Sequence, residues 1–172
     1  PLSIAHVGTV IARNRPDLLF APLKHLGGQE ALRDVTFKFV GNLAASYIEE
    51  LGLSSLVKTT GLLPRDRARE EMQRADALLL LTGDYVGRWG YNAKLFEYVQ
   101  TGRPVLCLEE TPGSNDRKLL ERFARDRSFF APLGAAPEFA AQFAKLHEYV
   151  AAHPSPAIDL ADAFREYSRP NL

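Results

Sequence analysis

Asn92, Ala93, Lys94 and Glu97 carry the strongest chemical signal in the chain, within the segment Thr82 to Val105, TGDYVGRWGYNAKLFEYVQTGRPV. An apolar run leads into a long glycine-containing loop, and the loop into a helix that starts at Asn92-Ala93-Lys94. The first amides of a helix lack intrahelical acceptors and sit at the positive end of its dipole, so they stabilise a phosphate without a large net charge. Lys94 in the first turn adds a cation. A lysine there faces the positive dipole end, which points to an anion nearby, the alternative being a solvent-facing lysine. Glu97, three residues on, projects from the same side of the helix. Its carboxylate can accept two hydrogen bonds from a vicinal diol such as a ribose, or it can form a surface ion pair with Lys94 worth only about 0.3 kcal/mol. Spacing alone does not choose between them.

Strands alternating with helices must position these residues. Leu2 to Val7 is an apolar strand ending at Gly8, and IARNRPDLLFAPLKHLGG places apolar residues at helical spacing before Gly27 and Gly28 stop it. Val35 to Val40 alternates as a strand, ends at Gly41-Asn42 and precedes the helix LAASYIEELG, with Gly52 at its C-cap. Leu56 to Thr60 is a more polar strand closed by Gly61, and Asp66 is placed to cap the charged helix RAREEMQRA, whose charges read as a solvated face. Ala77 to Leu81 is uniformly apolar, as a strand covered on both faces must be, and TGDYVGRWGYN reads as irregular. Trp89 and Tyr91 within it are expected to pack the loop against the domain, with stacking on a sugar or base as the alternative.

Beyond the helix AKLFEYVQ and Gly102, the run VLCL after Pro104 is a further buried strand. Then come a polar loop ETPGSND, a charged helix around Lys118 to Arg125, a short strand near Ser128 to Phe130, and helices over Glu138 to Ala152 and Asp159 to Tyr167. This alternation with short glycine-marked loops predicts an α/β, Rossmann-like, doubly wound parallel β-sheet with helices on both faces. Ligands of such sheets sit beyond the carboxyl ends of the strands, here after Val7, Val40, Thr60, Leu81 and Leu108.

Composition removes several classes. Lys+Arg and Asp+Glu both number 21, so no global field would hold the chain on nucleic acid or an anionic membrane, and an anionic ligand must be caught locally. The single cysteine, Cys107, lies in the apolar run PVLCL and reads as a small buried hydrophobe; a disulfide framework is excluded. His6, His25, His147 and His153 are scattered without metal-ligand spacing, so no metal site is expected. No apolar stretch is long enough to span a bilayer and no signal peptide is visible, which gives a cytoplasmic expectation. The opening at Pro1 and the stop just after a helical pattern suggest one domain over 1–172, a fragment of a longer protein, with a C-terminal helix at 157–172 cut short.

AKLFEYVQTGRPVL resembles the sugar-nucleotide signature of retaining glycosyltransferases of the GT-B class, the glycosyl transferases group 1 (family 4-like), in their C-terminal donor-binding domain. The likeness is strongest to bacterial cell-surface polysaccharide members with a K-x-x-E-Y-x-x-x-G-x-P-V pattern. VGTV after the first strand, FVGN after the second, TTGLLP after the third and RADALLLLT before the loop agree in order. The resemblance implies that Glu97 binds the ribose hydroxyls of a nucleotide-diphosphate-sugar donor. The amides around Asn92, Ala93 and Lys94, with Tyr91 and Leu95 beside them, would hold the diphosphate, and Leu62 and Leu63 after Gly61 would flank the base. Gly8, Thr9 and Arg13 would meet the donor after the first strand. Arg15 falls on the second of two basic family positions that neutralise the leaving diphosphate, a role fitting charge development in leaving-group chemistry; helix capping is its alternative. Lys94 would assist catalysis.

Two positions depart from the family pattern: Thr9 stands where many members carry a basic residue, and Trp89 where many carry a first glutamate, which the polysaccharide-type subgroup often lacks. The resemblance further implies a metal-independent transferase without cofactors. Its acceptor-binding partner domain would precede this one, a membrane would be touched only through that part, at its inner face, and this domain alone would transfer nothing. Two other readings stand beside this one: half of a GT-B-like nucleotide-sugar epimerase, which would share Glu97 and its helix, and a non-catalytic Rossmann-like binding module, against which the Glu97 segment speaks.

Overall fold

The computed structural model describes residues 1–10, 15–27 and 32–154, with backbone alone at 85–87. The Asp159–Tyr167 helix and its truncation lie outside the described residues. Six parallel strands form one sheet in the order β3-β2-β1-β4-β5-β6. In chain order the elements are β1 (Leu2–Val7), α1 (Pro16–Leu26), β2 (Val35–Val40), α2 (Ala45–Glu50), β3 (Val57–Gly61), α3 (Arg65–Arg74) and β4 (Ala77–Thr82). There follow α4 (Asp84–Trp89), α5 (Ala93–Thr101), β5 (Val105–Glu109), α6 (Asn115–Phe123), β6 (Ser128–Pro132) and α7 (Ala136–Ala152).

The expected doubly wound sheet is what forms, and burial explains why. Every residue of β4, ALLLLT, and of β5, VLCLE, is buried, because helices cover both faces of the central strands. One core layer joins Ile4, Phe37, Phe39, Leu79 and Leu106 to Leu19, Phe20 and Leu23 of α1 and to Phe139 and Phe143 of α7. The other joins Ala5, Val7, Leu78, Leu80 and Cys107 to Met72 of α3, Leu95 and Tyr98 of α5 and Leu120 of α6. Cys107 is fully buried, and burial pushes its thiol well above the usual range, as suits a core residue.

Three local expectations are corrected. Asp84–Trp89 is a short helix, α4, where an irregular loop was expected. Asp66 lies in the first turn of α3 instead of capping it; Pro64, fixed in an extended conformation, occupies the N-cap without a side-chain hydrogen bond. The helix expected at Lys118 to Arg125 begins three residues earlier, where Ser114 caps it by accepting from the Arg117 amide.

The strand order reverses between β1 and β4, and the two strands part there. β1 pairs with β2 along all six residues, but with β4 only at Ile4↔Ala77 and Ala5↔Leu78. Towards their carboxyl ends this leaves a crevice, the place where doubly wound sheets take their ligands.

Candidate functional site

A cavity of ≈ 340 Å³ opens at the carboxyl ends of β1 to β3, walled by α3 and α5. Of the residues singled out from sequence, Gly8, Thr9, Leu62, Leu63, Lys94 and Glu97 line it. They arrive from two separate connections and one helix, so only the fold brings them together.

Glycines set the floor. The Gly8 amide donates to the Val40 carbonyl at 2.9 Å and the Gly41 amide to the Gly61 carbonyl at 3.0 Å, which draws three strand ends together. A Cβ added to Gly41 would overlap the Gly8 carbonyl, so no larger residue fits without moving the backbone. Gly61 does not line the cavity; its φ of 72° turns the chain out of β3 so that Leu62 and Leu63 reach it. Leu62 is 76% exposed, while Leu63 packs against the core layer of α3 and α5.

Asn92 caps α5 as expected: its Oδ1 accepts from the Lys94 amide at 3.2 Å and its Nδ2 donates to the Leu81 carbonyl at 3.0 Å. The cap has a cost for the expected phosphate cradle. The Asn92 amide donates to Asp116 Oδ1 at 2.9 Å and the Lys94 amide is spent on the cap. Among the described residues, the Ala93 amide is left at the helix start without an acceptor. Asp116, fully buried at the start of α6, also accepts from Thr82 Oγ1 at 2.8 Å. It claims the Asn92 amide because a buried carboxylate needs its hydrogen bonds. Burial, the largest influence, raises its pKa above the ordinary aspartate value, against the hydrogen bonds from Asn92 and Thr82.

Leu95 does not line the cavity: its side chain is fully buried and its amide donates to the Asn92 carbonyl at 3.0 Å. Trp89, expected to pack against the domain, is 79% exposed, because α4 carries it outward. Tyr91 is exposed as well and meets Phe96 edge to face at 6.1 Å, away from the cavity lining.

Glu97 sits among cations. Its Oε2 accepts from Lys94 Nζ at 2.9 Å, and its Oε1 lies 3.5 Å from the Arg65 guanidinium across the cavity. Burial disfavours its charge, but the hydrogen bond from Lys94 and the charges of Lys94, Arg69 and Arg65 outweigh this and hold the carboxyl below the usual glutamate value. Arg65 and Arg69 were missed in the sequence, Arg69 because it belongs to the run RAREEMQRA read as a solvated face and Arg65 because it lies just before that run. Both line the cavity, their i,i+4 spacing placing them on one side of α3.

Tyr98, next to Glu97, was missed too. Its hydroxyl accepts from the Val7 amide at 2.9 Å and donates to the Leu79 carbonyl at 3.3 Å, bridging the two strands where their ladder has ended. His6 Nδ1 donates to the same carbonyl at 3.0 Å, and its buried Nε2 has no partner among the described residues. α5 is thereby fastened to both sides of the crevice.

Arg15 stands apart from the cavity lining. It occupies the N-cap of α1 with φ 47° and donates to both Asp17 oxygens, at 3.2 and 3.0 Å, with Glu110 3.9 Å away. Arg13 lies outside the described residues. Among the described residues, no cluster of three His, Cys, Asp or Glu side chains is placed to hold a metal, and no helix is long and apolar enough to cross a membrane.

A six-stranded parallel sheet wound on both faces, with its cavity at the strand ends beside the reversal, is a Rossmann-like α/β domain. Within that class its fold is the one found in the C-terminal domains of GT-B glycosyltransferases. It is similar to the C-terminal domain of the glycosyl transferase group 1 family protein LpcC from Francisella tularensis. That match has a TM-score of 0.62 and 10% identity, and covers 99% of this chain and 87% of that domain. A glycosyltransferase from Rickettsia africae matches with TM-score 0.62 and 14% identity over 96% of this chain and 41% of the other. Anabaena HepE, solved in complex with UDP and glucose, matches with TM-score 0.57 and 17% identity over 96% and 46%. The chain thus spans less than half the length of these last two proteins. No family model matches the sequence, and no curated protein matches it.

Proposed function

We propose that this chain is the donor-binding domain of a glycosyltransferase, holding a nucleotide-diphosphate sugar for transfer to a polysaccharide, lipid or other acceptor carried by a separate acceptor-binding domain. The observation that carries the reading is the convergence of Glu97, Lys94, Leu62, Leu63 and the Gly8-Thr9 turn on one cavity at the strand ends.

Each group then has a task. Glu97, kept ionised by its cations, accepts the ribose hydroxyls, and the leucines flank the base. The Ala93 amide and the positive end of α5 meet the diphosphate. Lys94 has three donors, so it can keep Glu97 and still reach a phosphate oxygen. In transfer the bond between the anomeric carbon and the diphosphate oxygen breaks, and the electron pair leaves with the diphosphate. A cation in place where that charge develops lowers the barrier. Lys94 supplies one; Arg15 supplies a second by exchanging Asp17 for the departing diphosphate. This assignment invokes no metal ion, cofactor or nucleic acid. Its setting is bacterial cell-surface polysaccharide synthesis at the cytoplasmic side of the membrane.

Calorimetric titration with UDP-, GDP- and dTDP-linked sugars, on the wild type and Glu97→Gln, tests the reading. One nucleotide class should bind, and the variant should weaken it by about 10–100-fold, the cost of hydrogen bonds to a charged group. Binding that is unchanged in the variant, or no binding by any of them at millimolar concentration, would remove Glu97 from its role.

A further inference from the structure

The two oxygens of Glu97 are held unequally. Oε2 is bound by Lys94 at 2.9 Å, from the same helix, so the two move together. Oε1 meets Arg65 at 3.5 Å, from α3, and Arg65 is 74% exposed at its side chain. A diol entering the cavity must take an oxygen of Glu97, and the longer contact to the more solvated partner is the one that yields. Arg65 is therefore released when the site fills, while Arg69, one turn along α3, remains to balance the carboxylate.

A released Arg65 has a defined place to go. It follows Leu62, Leu63 and Pro64 directly and lines the same cavity as the two leucines. A planar base held by apolar side chains presents its polar edge to whatever stands beside them. A guanidinium carries five donors and no acceptor, so it fits an edge made of acceptors and is mismatched with an amino group.

We propose that Arg65 is a specificity-determining residue. On ligand binding it exchanges Glu97 for the edge of the nucleobase, and it selects bases that present oxo acceptors, as uracil, thymine and guanine do, over adenine. This rests on the donor-site reading above. Paired with Glu97, Arg65 keeps the carboxylate neutralised until the diol replaces it.

Calorimetry with UDP, GDP and ADP, on the wild type, Arg65→Met, Arg65→Lys and Arg69→Met, tests the assignment; all three side-chain changes lie on the surface of α3 or its cavity edge. The wild type should bind UDP or GDP about tenfold more tightly than ADP, the order expected of a forked arginine contact to a base. Arg65→Met should bring the ratio near one. Arg65→Lys, which keeps the charge and loses the fork, should also lose the ratio while retaining most of the affinity. Arg69→Met should weaken every nucleotide by the same factor. An undiminished ratio in Arg65→Met, or uniform tightening of all three ligands, would show that Arg65 only competes for Glu97. No binding by the wild type would instead overturn the donor-site reading and this inference with it.

Discussion

Replacing His6 by asparagine should flatten the acid side of the stability profile. His6 is 7% exposed on β1, with the Phe39 ring 5.5 Å away and the Leu79 carbonyl 3.0 Å from Nδ1. A carbonyl only accepts, so Nδ1 carries the proton and the partnerless Nε2 is bare. Burial, with the charge of Lys94 adding to it and the Leu79 hydrogen bond opposing, lowers the imidazole from 6.5 to about 4. The unfolded chain takes up a proton near pH 6.5, whereas the native state refuses it until about pH 4. Between those values the unfolded state binds more protons, so stability falls as the pH is lowered through the window and is fully present above it. At about 1.4 kcal/mol per pH unit, the loss amounts to roughly 3 kcal/mol, a large share of the roughly 5–15 kcal/mol of a typical domain. Asparagine keeps a donor for Leu79 and does not titrate. Urea unfolding followed by far-ultraviolet circular dichroism at pH 7, 6, 5 and 4 should therefore show the wild type losing about 3 kcal/mol relative to His6→Asn. Parallel profiles across that range would refute the argument, since carboxylates elsewhere titrate alike in both proteins.

Tyr98→Phe leaves the buried Val7 amide unpaired and should cost about 1–3 kcal/mol in the same unfolding assay. It should also loosen α5 beneath Glu97, weakening a ribonucleoside diphosphate more than its 2′,3′-dideoxy counterpart in calorimetry. Gly41→Ala drives a Cβ into the Gly8 carbonyl and should destabilise by about 1–3 kcal/mol or more, with loss of nucleotide binding as the cavity floor shifts. An alanine variant of wild-type stability would mean that the Gly8 turn can move freely.

The sheet was readable because its central strands are uninterrupted apolar runs, as a double-sided burial requires, and because glycines punctuate the connections. Of the edge strands, more polar and partly exposed, β3 was placed one residue early and β6 two residues short. Short α4 was missed because Gly87 and three aromatic or β-branched neighbours read as a loop, and a six-residue helix has little periodicity to show. Asn92 was readable as a cap from its type and place. Leu95 was drawn in by its nearness to the motif, although its i,i+3 relation to Tyr98 marks the face that α5 turns to the core. Arg65 and Arg69 were hidden for a different reason: a cavity built from cations has the same composition as a solvated helix face. Only the packing of α3 beside β1 distinguishes them. The engagement of the Asn92 amide by Asp116, 24 residues away, had no local signal at all.

Trp89, the single tryptophan of the sequence, stands 79% exposed on α4, two residues before Tyr91. Its indole is already in water in the native state, so its emission should hardly change when the domain unfolds and makes a poor gauge of stability. The same placement makes it an optical probe without labelling. Whatever settles over the α4 surface, whether a second domain, an acceptor or a membrane, will shift that emission to the blue and shield it from soluble quenchers, and titrations of such partners can be read from the native protein directly.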